Sequence, residues 1–324
     1  LDEERRLFYV AMTRARDELW LTHHVAAGRD GRGRRRPSPF IAEALDAPSS
    51  AAQERLDAIA TIDMFGAPSP ATASAELGAH PESSFSYSEL EEYLDCGERY
   101  RLRHVVGLPT PAHHALAYGS AMHQAVAAFH VSTGRGAPLD EQELLDVFAR
   151  AWSPEGFLSR EHEERRFAAG REAMLRFRRD QLAAKPEVVA IERPFTFRLG
   201  DLSIRGRMDR VDRTHEGDVV VDYKSSDVRE QARADERARD SLQLQVYAMA
   251  HEQNAGSLPS QVRLHFLDSG VIGSAIPEPA RLERARTKLL GAADGIRSRK
   301  FVARPSAVTC GYCPFRQICS FSAA

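Results

Sequence analysis

Val219-Val220-Val221-Asp222-Tyr223-Lys224 runs three β-branched apolar residues straight into a carboxylate, a phenol and an ammonium. Such a run reads as a buried strand, and its last residues as the strand's end. Residues two apart on a strand point to the same side, so Asp222 and Lys224 share a face. Thirteen residues before Asp222, Gly206-Arg207-Met208-Asp209 brings a second strand to an acid at similar depth. Lysine is scarce, 4 residues among 44 basic ones, which argues against Lys224 as a casual surface charge. Two acids and a lysine at adjoining strand ends are the set that metal-assisted phosphodiester cleavage requires.

The neighbouring sequence supplies a sheet for these ends. Val188–Leu199 and Leu202–Asp212 read as a hairpin turning at Gly200-Asp201, with Asp218–Tyr223 as the third strand. An Arg/Asp/Glu-rich loop then leads to helix 241–253, strand Gln261–Leu267, helix 279–298 and a cysteine-bearing tail. Upstream, Ser86 or Ser88 is a natural N-cap, and Glu89 supports the first turn of a helix running to about Leu94. A short helix Gly97–Val105 carries Arg99, Arg101 and Arg103, and further helices are expected at 119–133, near 140–151 and at 160–183. Helices, a β-meander, then helix and strand predict an α/β fold with a small mixed sheet flanked by helices.

The 324 residues carry a net charge of −2, so no global basic field advertises nucleic acid. No apolar run of about 18 residues exists, which excludes a membrane-spanning helix. The chain opens on Leu1 in mid-motif, without initiator Met or signal peptide, and reads as the C-terminal piece of a longer intracellular protein. Its parts are expected at 1–26, at a linker 27–84 that is basic and glycine-rich from Gly28 to Pro39 and Ala/Pro/Ser-rich from 66, and at 85–324. Arg32, Arg34, Arg35 and Arg36 in that linker either touch a DNA backbone or are simply solvated.

The chemistry can be specified further. Mg²⁺ takes a few carboxylates and keeps several waters, so Asp209, Asp222 and one more oxygen, the Tyr223 backbone carbonyl, go far towards a site. His123, on helix 119–133, would complete the shell from across the site. Lys224 would orient the nucleophilic water or offset charge building on the phosphate. Each residue also has a plainer reading. Asp-x-Lys can be a solvated strand end, and His123 an ordinary helix histidine, as His130 on the same face is taken to be. Asp212 competes with Asp209 as a ligand but is better read as a structural partner of Arg210 or Arg207. Glu192, at the start of the hairpin, either supports the ligands or is merely exposed, and is the weakest candidate.

Gly119-x-x-x-His123, Gly206-Arg-x-Asp209-Arg-x-Asp212, Asp222-x-Lys224 and Gln243-x-x-x-Tyr247 occur in the order found in RecB-family nucleases of the PD-(D/E)XK superfamily. The resemblance covers roughly residues 85–320 and implies a restriction-endonuclease-like fold. It implies His123, Asp209 and Asp222 as metal ligands for Mg²⁺ or Mn²⁺, and Lys224 as the catalytic lysine. Gln243 and Tyr247, one helical turn apart, would face the site and contact DNA or hold the lysine.

Cys310-x-x-Cys313-x5-Cys319 places three thiolates within ten residues, and the remaining cysteine, Cys96, lies 214 positions before Cys310. Clustering of this kind argues for a metal site, an iron–sulfur cluster or structural zinc, rather than for disulfides. The arrangement resembles the 4Fe–4S staple of AddB-type nucleases, which would clasp the two ends of the domain; structural Zn²⁺ is the alternative.

Glu4-Arg5-Arg6-Leu7-Phe8-Tyr9-Val10-Ala11-Met12-Thr13-Arg14-Ala15 resembles motif VI of UvrD-like superfamily 1 helicases. Arg14 matches the arginine that reaches the ATP γ-phosphate in that family. No G-x-x-x-x-G-K-[ST] sequence accompanies it, so this stretch is an ATP-binding remnant that cannot hydrolyse ATP here. Together the resemblances imply the nuclease part of a bacterial helicase–nuclease of the AddAB/AdnAB type, cytoplasmic and nucleoid-associated. Its expected partners are a single DNA strand fed from a duplex, the rest of the parent helicase, and a second helicase–nuclease subunit. Its expected role is DNA end processing in recombinational repair. The rival is a catalytically silent nuclease fold that binds DNA or acts as a scaffold.

Overall fold

The structure, a computed structural model, describes residues 2–14, 21, 26–27, 33–34, 38–45 and 84–323. The chain divides into two units, Leu1–Glu76 and Leu77–Ala324. In the first, helix α1 (Asp2–Thr13) opens with Asp2, Glu3 and Glu4, acids that suit its positive N-terminal end. Arg5 of α1 pairs with Glu43 of α2 (Pro39–Leu45) at 2.9 Å. Strands β1 (Ala26–Ala27) and β2 (Gly33–Arg34) pair antiparallel. Arg14 is exposed. Arg32, Arg35, Arg36 and the linker stretch 66–83 lie outside the described residues.

The second unit begins with strand β3 (Ser84–Ser86), which runs directly into helix α3 (Tyr87–Asp95). Ser86 is the cap: its Oγ accepts from Glu89 N at 3.2 Å while Glu89 Oε2 accepts from Ser86 N at 2.6 Å, a reciprocal capping box. Helix α4 (Gly97–Tyr100) passes into a π turn, Arg101–Val105, so the single helix expected there is two short pieces. Helices α5 (His114–Gly134), α6 (Glu141–Ala151) and α7 (Arg160–Ala184) follow, α5 starting five residues before the expected 119. The expected hairpin is β4 (Glu187–Leu199) and β5 (Leu202–Thr214), and β6 (Gly217–Lys224) pairs antiparallel with β5.

The charged stretch expected to be a loop is instead helix α8 (Gln231–Asp240). Its apolar face is only Ala234 and Ala238, one turn apart and both buried. Two alanines pack closely on the short strand β8 (Ile272–Ala275) without giving the sequence a periodic signal of large apolar residues. Helix α9 (Leu242–Ala255), strand β7 (Gln261–Phe266), helix α10 (Pro279–Arg297) and the short helix α11 (Ala307–Gly311) complete the unit.

The sheet runs β3-β5-β6-β7-β8, with β4 along the other edge of β5. β6 and β7 are parallel, as are β3 and β5, and the other pairs are antiparallel. Two cores lie on its two faces. Val219, Val221 and Tyr223 join a core with Met122, Phe129, Phe148, Met174 and Phe177 of α5, α6 and α7. Val220 joins another with Phe197, Ile204, Leu244, Leu264 and Leu289. A strand buried on both sides explains the unbroken apolar run before Asp222.

Candidate active site

β3 and β6 share one edge of β5 without touching the same residues. β3 pairs with Ser203, Ile204 and Arg205, and β6 with Arg210 to Thr214. β3 runs with β5 and β6 against it, so both strands end facing the gap between them, residues 206–209. The backbone edge left unpaired there is the centre of the site. Asp209 stands in the gap, β6 delivers Asp222 to Lys224, and β3 delivers Tyr87 at the head of α3.

Three side chains meet there: His123 of α5, Glu192 of β4 and Asp209 of β5 each offer a ligand atom, all within 4.8 Å of one another. Asp209 Oδ2 accepts from Tyr223 N at 2.8 Å, and His123 Nε2 lies 3.1 Å from the Tyr223 carbonyl. His123 Nδ1 lies 3.5 Å from Asp209 Oδ2, so the ring presents one nitrogen to the Tyr223 carbonyl and the other to the carboxylate. Burial pulls the His123 pKa down, with Lys224 adding to it against the neighbouring carboxylates, so the ring is neutral and able to ligate. Burial, followed by the charges of Asp222 and Glu192, pushes the Asp209 carboxyl up to about 8. That carboxyl is strongly predisposed to share its charge with a metal ion.

Glu192, the weakest of the sequence candidates, thus sits among the ligands. Its neighbours Ile191 and Arg193 pair with Arg210 and Met208, which sets it opposite Asp209. Its φ of 49° is left-handed within a strand, a conformation costing a non-glycine residue about 1–2 kcal/mol. Such strain collects where surroundings over-determine a functional side chain.

Asp222 is 1% exposed and lies outside that trio. Lys224 Nζ pairs with Asp222 Oδ2 at 2.8 Å. Lys224 also donates to Gln243 Oε1 at 2.6 Å, and Gln243 Nε2 donates to Tyr247 Oη at 2.7 Å. Burial alone would lower the lysine's pKa, but Asp222, Asp209 and Glu91 raise it above its ordinary value, and it stays an ammonium. Burial, then Asp222 and Asp209, push the Tyr247 phenol up, so it remains a donor. Tyr87, buried and also raised, donates to Glu91 at 2.6 Å on the same side of the site. Nothing in the sequence singled out Tyr87 or Glu91, because their approach depends on β3 joining the sheet.

Behind the sheet, Tyr223 is anchored by a buried polar network. Arg210 donates to Gln181 Oε1 and Tyr223 Oη, both at 2.7 Å, and to Asp212 Oδ2 at 2.7 Å. Its Nη1 also lies 3.0 Å from His130 Nε2, which is 2.8 Å from Tyr223 Oη. Asp212 is therefore the structural partner of Arg210 and His130 a structural histidine. Burial, with Arg210 beside them, holds His130 and His265 down to about 3.

Cys96, Cys310, Cys313 and Cys319 line one cavity, together with Arg99 and Arg316. None of the four is in a disulfide. Backbone hydrogen bonds from Ala323 and Ser306 lower the Cys310 pKa, whereas burial raises Cys313. Four sulfurs beside two guanidinium groups suit an anionic tetrathiolate centre, and the set fits a cubane or a zinc ion equally by donor type.

Residues 84–320 match the PD-(D/E)XK nuclease superfamily, and residues 1–26 the UvrD-like helicase C-terminal domain. A search of curated proteins finds no match. Among solved structures, a candidate exonuclease from Eubacterium rectale is 14% identical, with TM-score 0.44, over 76% of this chain and 88% of its own. A protein designated SSO0001 is 13% identical, with TM-score 0.33, over 73% and 96%. Protein VC1899 from Vibrio cholerae is 10% identical, with TM-score 0.21, over 68% and 59%. Scores this low carry no argument about activity. Among the described residues no helix is long and apolar enough to cross a membrane.

Proposed function

This chain belongs to the PD-(D/E)XK nuclease superfamily, and we propose that it is a catalytically active member that hydrolyses DNA phosphodiesters with Mg²⁺ or Mn²⁺. The observation that carries the reading is a convergent donor set beside a fixed ammonium. His123, Glu192 and Asp209 converge, Asp222 stands 2.8 Å from Lys224, and Gln243 holds the lysine there. His123, Asp209, Asp222 and the Tyr223 carbonyl would hold the ion, with Glu192 beside them. A bound divalent ion would polarise the phosphoryl oxygen and lower the pKa of the attacking water. Lys224 orients that water and offsets charge on the phosphate; Gln243 fixes the lysine, and Tyr247 fixes Gln243.

The N-terminal match supports a parent protein in which a UvrD-like motor, ending near residue 26, precedes a linker 27–84 and the nuclease 85–324. A helicase–nuclease processing DNA ends for recombinational repair, working with a second subunit, fits that order. The four cysteines would hold a 4Fe–4S cluster of AddB type, which the spacing of one early and three late cysteines favours over zinc. The same motif order supports RecB-family membership.

The test is Asp222→Ala, assayed on a labelled single strand across a Mn²⁺ titration. Cleavage should vanish while far-UV circular dichroism and iron content stay unchanged. Full activity in the variant, or no products from the wild type at any Mn²⁺ concentration, overturns the reading, the latter in favour of a silent DNA-binding scaffold.

A further inference from the structure

We infer that the C-terminal segment, residues 298–321, is a single-stranded DNA platform that extends the active site along α3. The inference rests on the nuclease reading for its substrate, and on three observations for its place.

The first is charge. Residues 298–324 hold Arg299, Lys300, Arg304 and Arg316 and no acid, in a chain whose net charge is −2, whereas Arg297 just before them pairs with Asp201 and Asp294. Elsewhere in the unit, arginines such as Arg101, Arg166, Arg210 and Arg281 pair with carboxylates. In the tail, Arg304 donates to the Leu94 carbonyl and pairs with no acid among the described residues, while Arg316 donates to the Gly311 carbonyl and lies against the thiols. Lys300 has no ionic partner among the described residues. Unbalanced cations at one place match a polyanion.

The second is exposed rings. Tyr312 is 78% exposed and Phe321 54%; Phe321 lines the cysteine cavity with Arg316, and Tyr312 precedes Cys313 in the chain. Aromatic faces set among cations are the means by which proteins hold single strands without regard to sequence. A lipid surface would favour a continuous apolar face, which Lys300, Arg304 and Arg316 interrupt. Lys300 and Arg304 also line a cavity of about 290 Å³ with Ser298 and Asp294, floored by Gly291 and Gly295.

The third is position. The nine residues of α3 span about 13 Å. At the first end Tyr87 and Glu91 stand beside Lys224; at the other, Tyr93 donates to the Lys300 carbonyl at 2.6 Å and Arg304 reaches Leu94. Gly97, just past α3, donates to the Val302 carbonyl at 3.1 Å. A strand leaving the catalytic gap along α3 meets the tail next.

The experiment uses the full 324-residue chain in EDTA and fluorescence anisotropy of a fluorescein-labelled oligothymidylate. Tyr312→Ala should weaken binding about tenfold, and Tyr312→Phe, which keeps the ring, should bind as the wild type does. Lys300→Gln should reduce the slope of log K against log salt by about 0.7. Mn²⁺-dependent hydrolysis of bis(p-nitrophenyl) phosphate, which needs only the catalytic gap, should be the same in all three variants and the wild type. Unchanged affinity in Tyr312→Ala, or equal loss in Tyr312→Phe, overturns the platform. Failure of the wild type to hydrolyse the small diester counts against the nuclease reading alone, since the anisotropy is read without metal.

Discussion

Lys224 and Asp222 were legible from spacing alone, because a strand's period of two puts them on one face and the apolar run before them fixes where the strand ends. Gln243 and Tyr247 were legible as a pair one helical turn apart. Glu192 was not, since its place depends on a backbone angle that no residue pattern announces: φ is 49° at a glutamate in mid-strand. This strain gives a prediction. Glu192→Gly should relieve the left-handed penalty and one of the mutually repelling carboxylates, raising unfolding free energy by about 1 kcal/mol in urea titrations. Mn²⁺ affinity, measured by calorimetry, should fall in the same variant. A loss of stability, or unchanged metal binding, would remove Glu192 from the site. Lys224 supports a second prediction: Lys224→Met should cut kcat by about 10²–10³ while leaving Mn²⁺ affinity near the wild-type value, because the ammonium stabilises charge and is not a ligand.

At the level of elements, the long strands and helices followed from their periodicity, and the failures share a cause. β3, of three residues, and α8, with an apolar face of two alanines, carry too little hydrophobic signal to be read locally. Both are held by tertiary contacts: β3 by its parallel pairing with β5, α8 by its packing on β8. The junction between α4 and the tail is equally tertiary. A Cβ on Gly97 would lie 2.8–2.9 Å from the backbone of Phe301 and Val302, which cannot rotate away. Gly97→Ala should therefore cost about 1–3 kcal/mol in chemical denaturation. The polar network behind β6 joins α5, α7, β5 and β6 and makes a pH prediction. His130 is held neutral to about 3 when folded, by burial and then Arg210, against an ordinary 6.5. The unfolded chain therefore binds its proton first as pH falls below 6.5, and stability is lost in that direction, by up to about 1.4 kcal/mol per pH unit for this residue. Asp209 has a raised pKa and gives the opposite slope, so the effect should be read as a difference. The stability of His130→Gln should fall less steeply than that of the wild type between pH 6.5 and 5, and parallel curves would mean that His130 is protonated in the fold.

Over the whole nuclease unit, the catalytic gap and the cysteine cavity make different demands on metal. The gap is built by strand pairing and by hydrogen bonds among its own groups. The cavity instead joins Cys96 to thiols 214 or more positions later, and the tail that bears them presents Val308, Tyr312 and Ile318 to solvent rather than to a core. Closing a loop of that length constrains the unfolded chain by roughly 5 kcal/mol in the cross-link model. For a unit of this size that corresponds to roughly 10–20 °C in melting temperature. Cys319→Ser should accordingly lower the melting temperature by that amount and release iron or zinc. Removing Mg²⁺ from the wild type with a brief EDTA treatment should abolish cleavage yet move the melting temperature by only about 2 °C, because few ligands must reorganise. Scanning calorimetry with metal analysis on both samples separates the two. Equal melting temperatures for Cys319→Ser and the wild type would mean that the four thiols clasp nothing, and a collapse of the fold in EDTA with the thiolate metal retained would mean that the gap needs its ion to form.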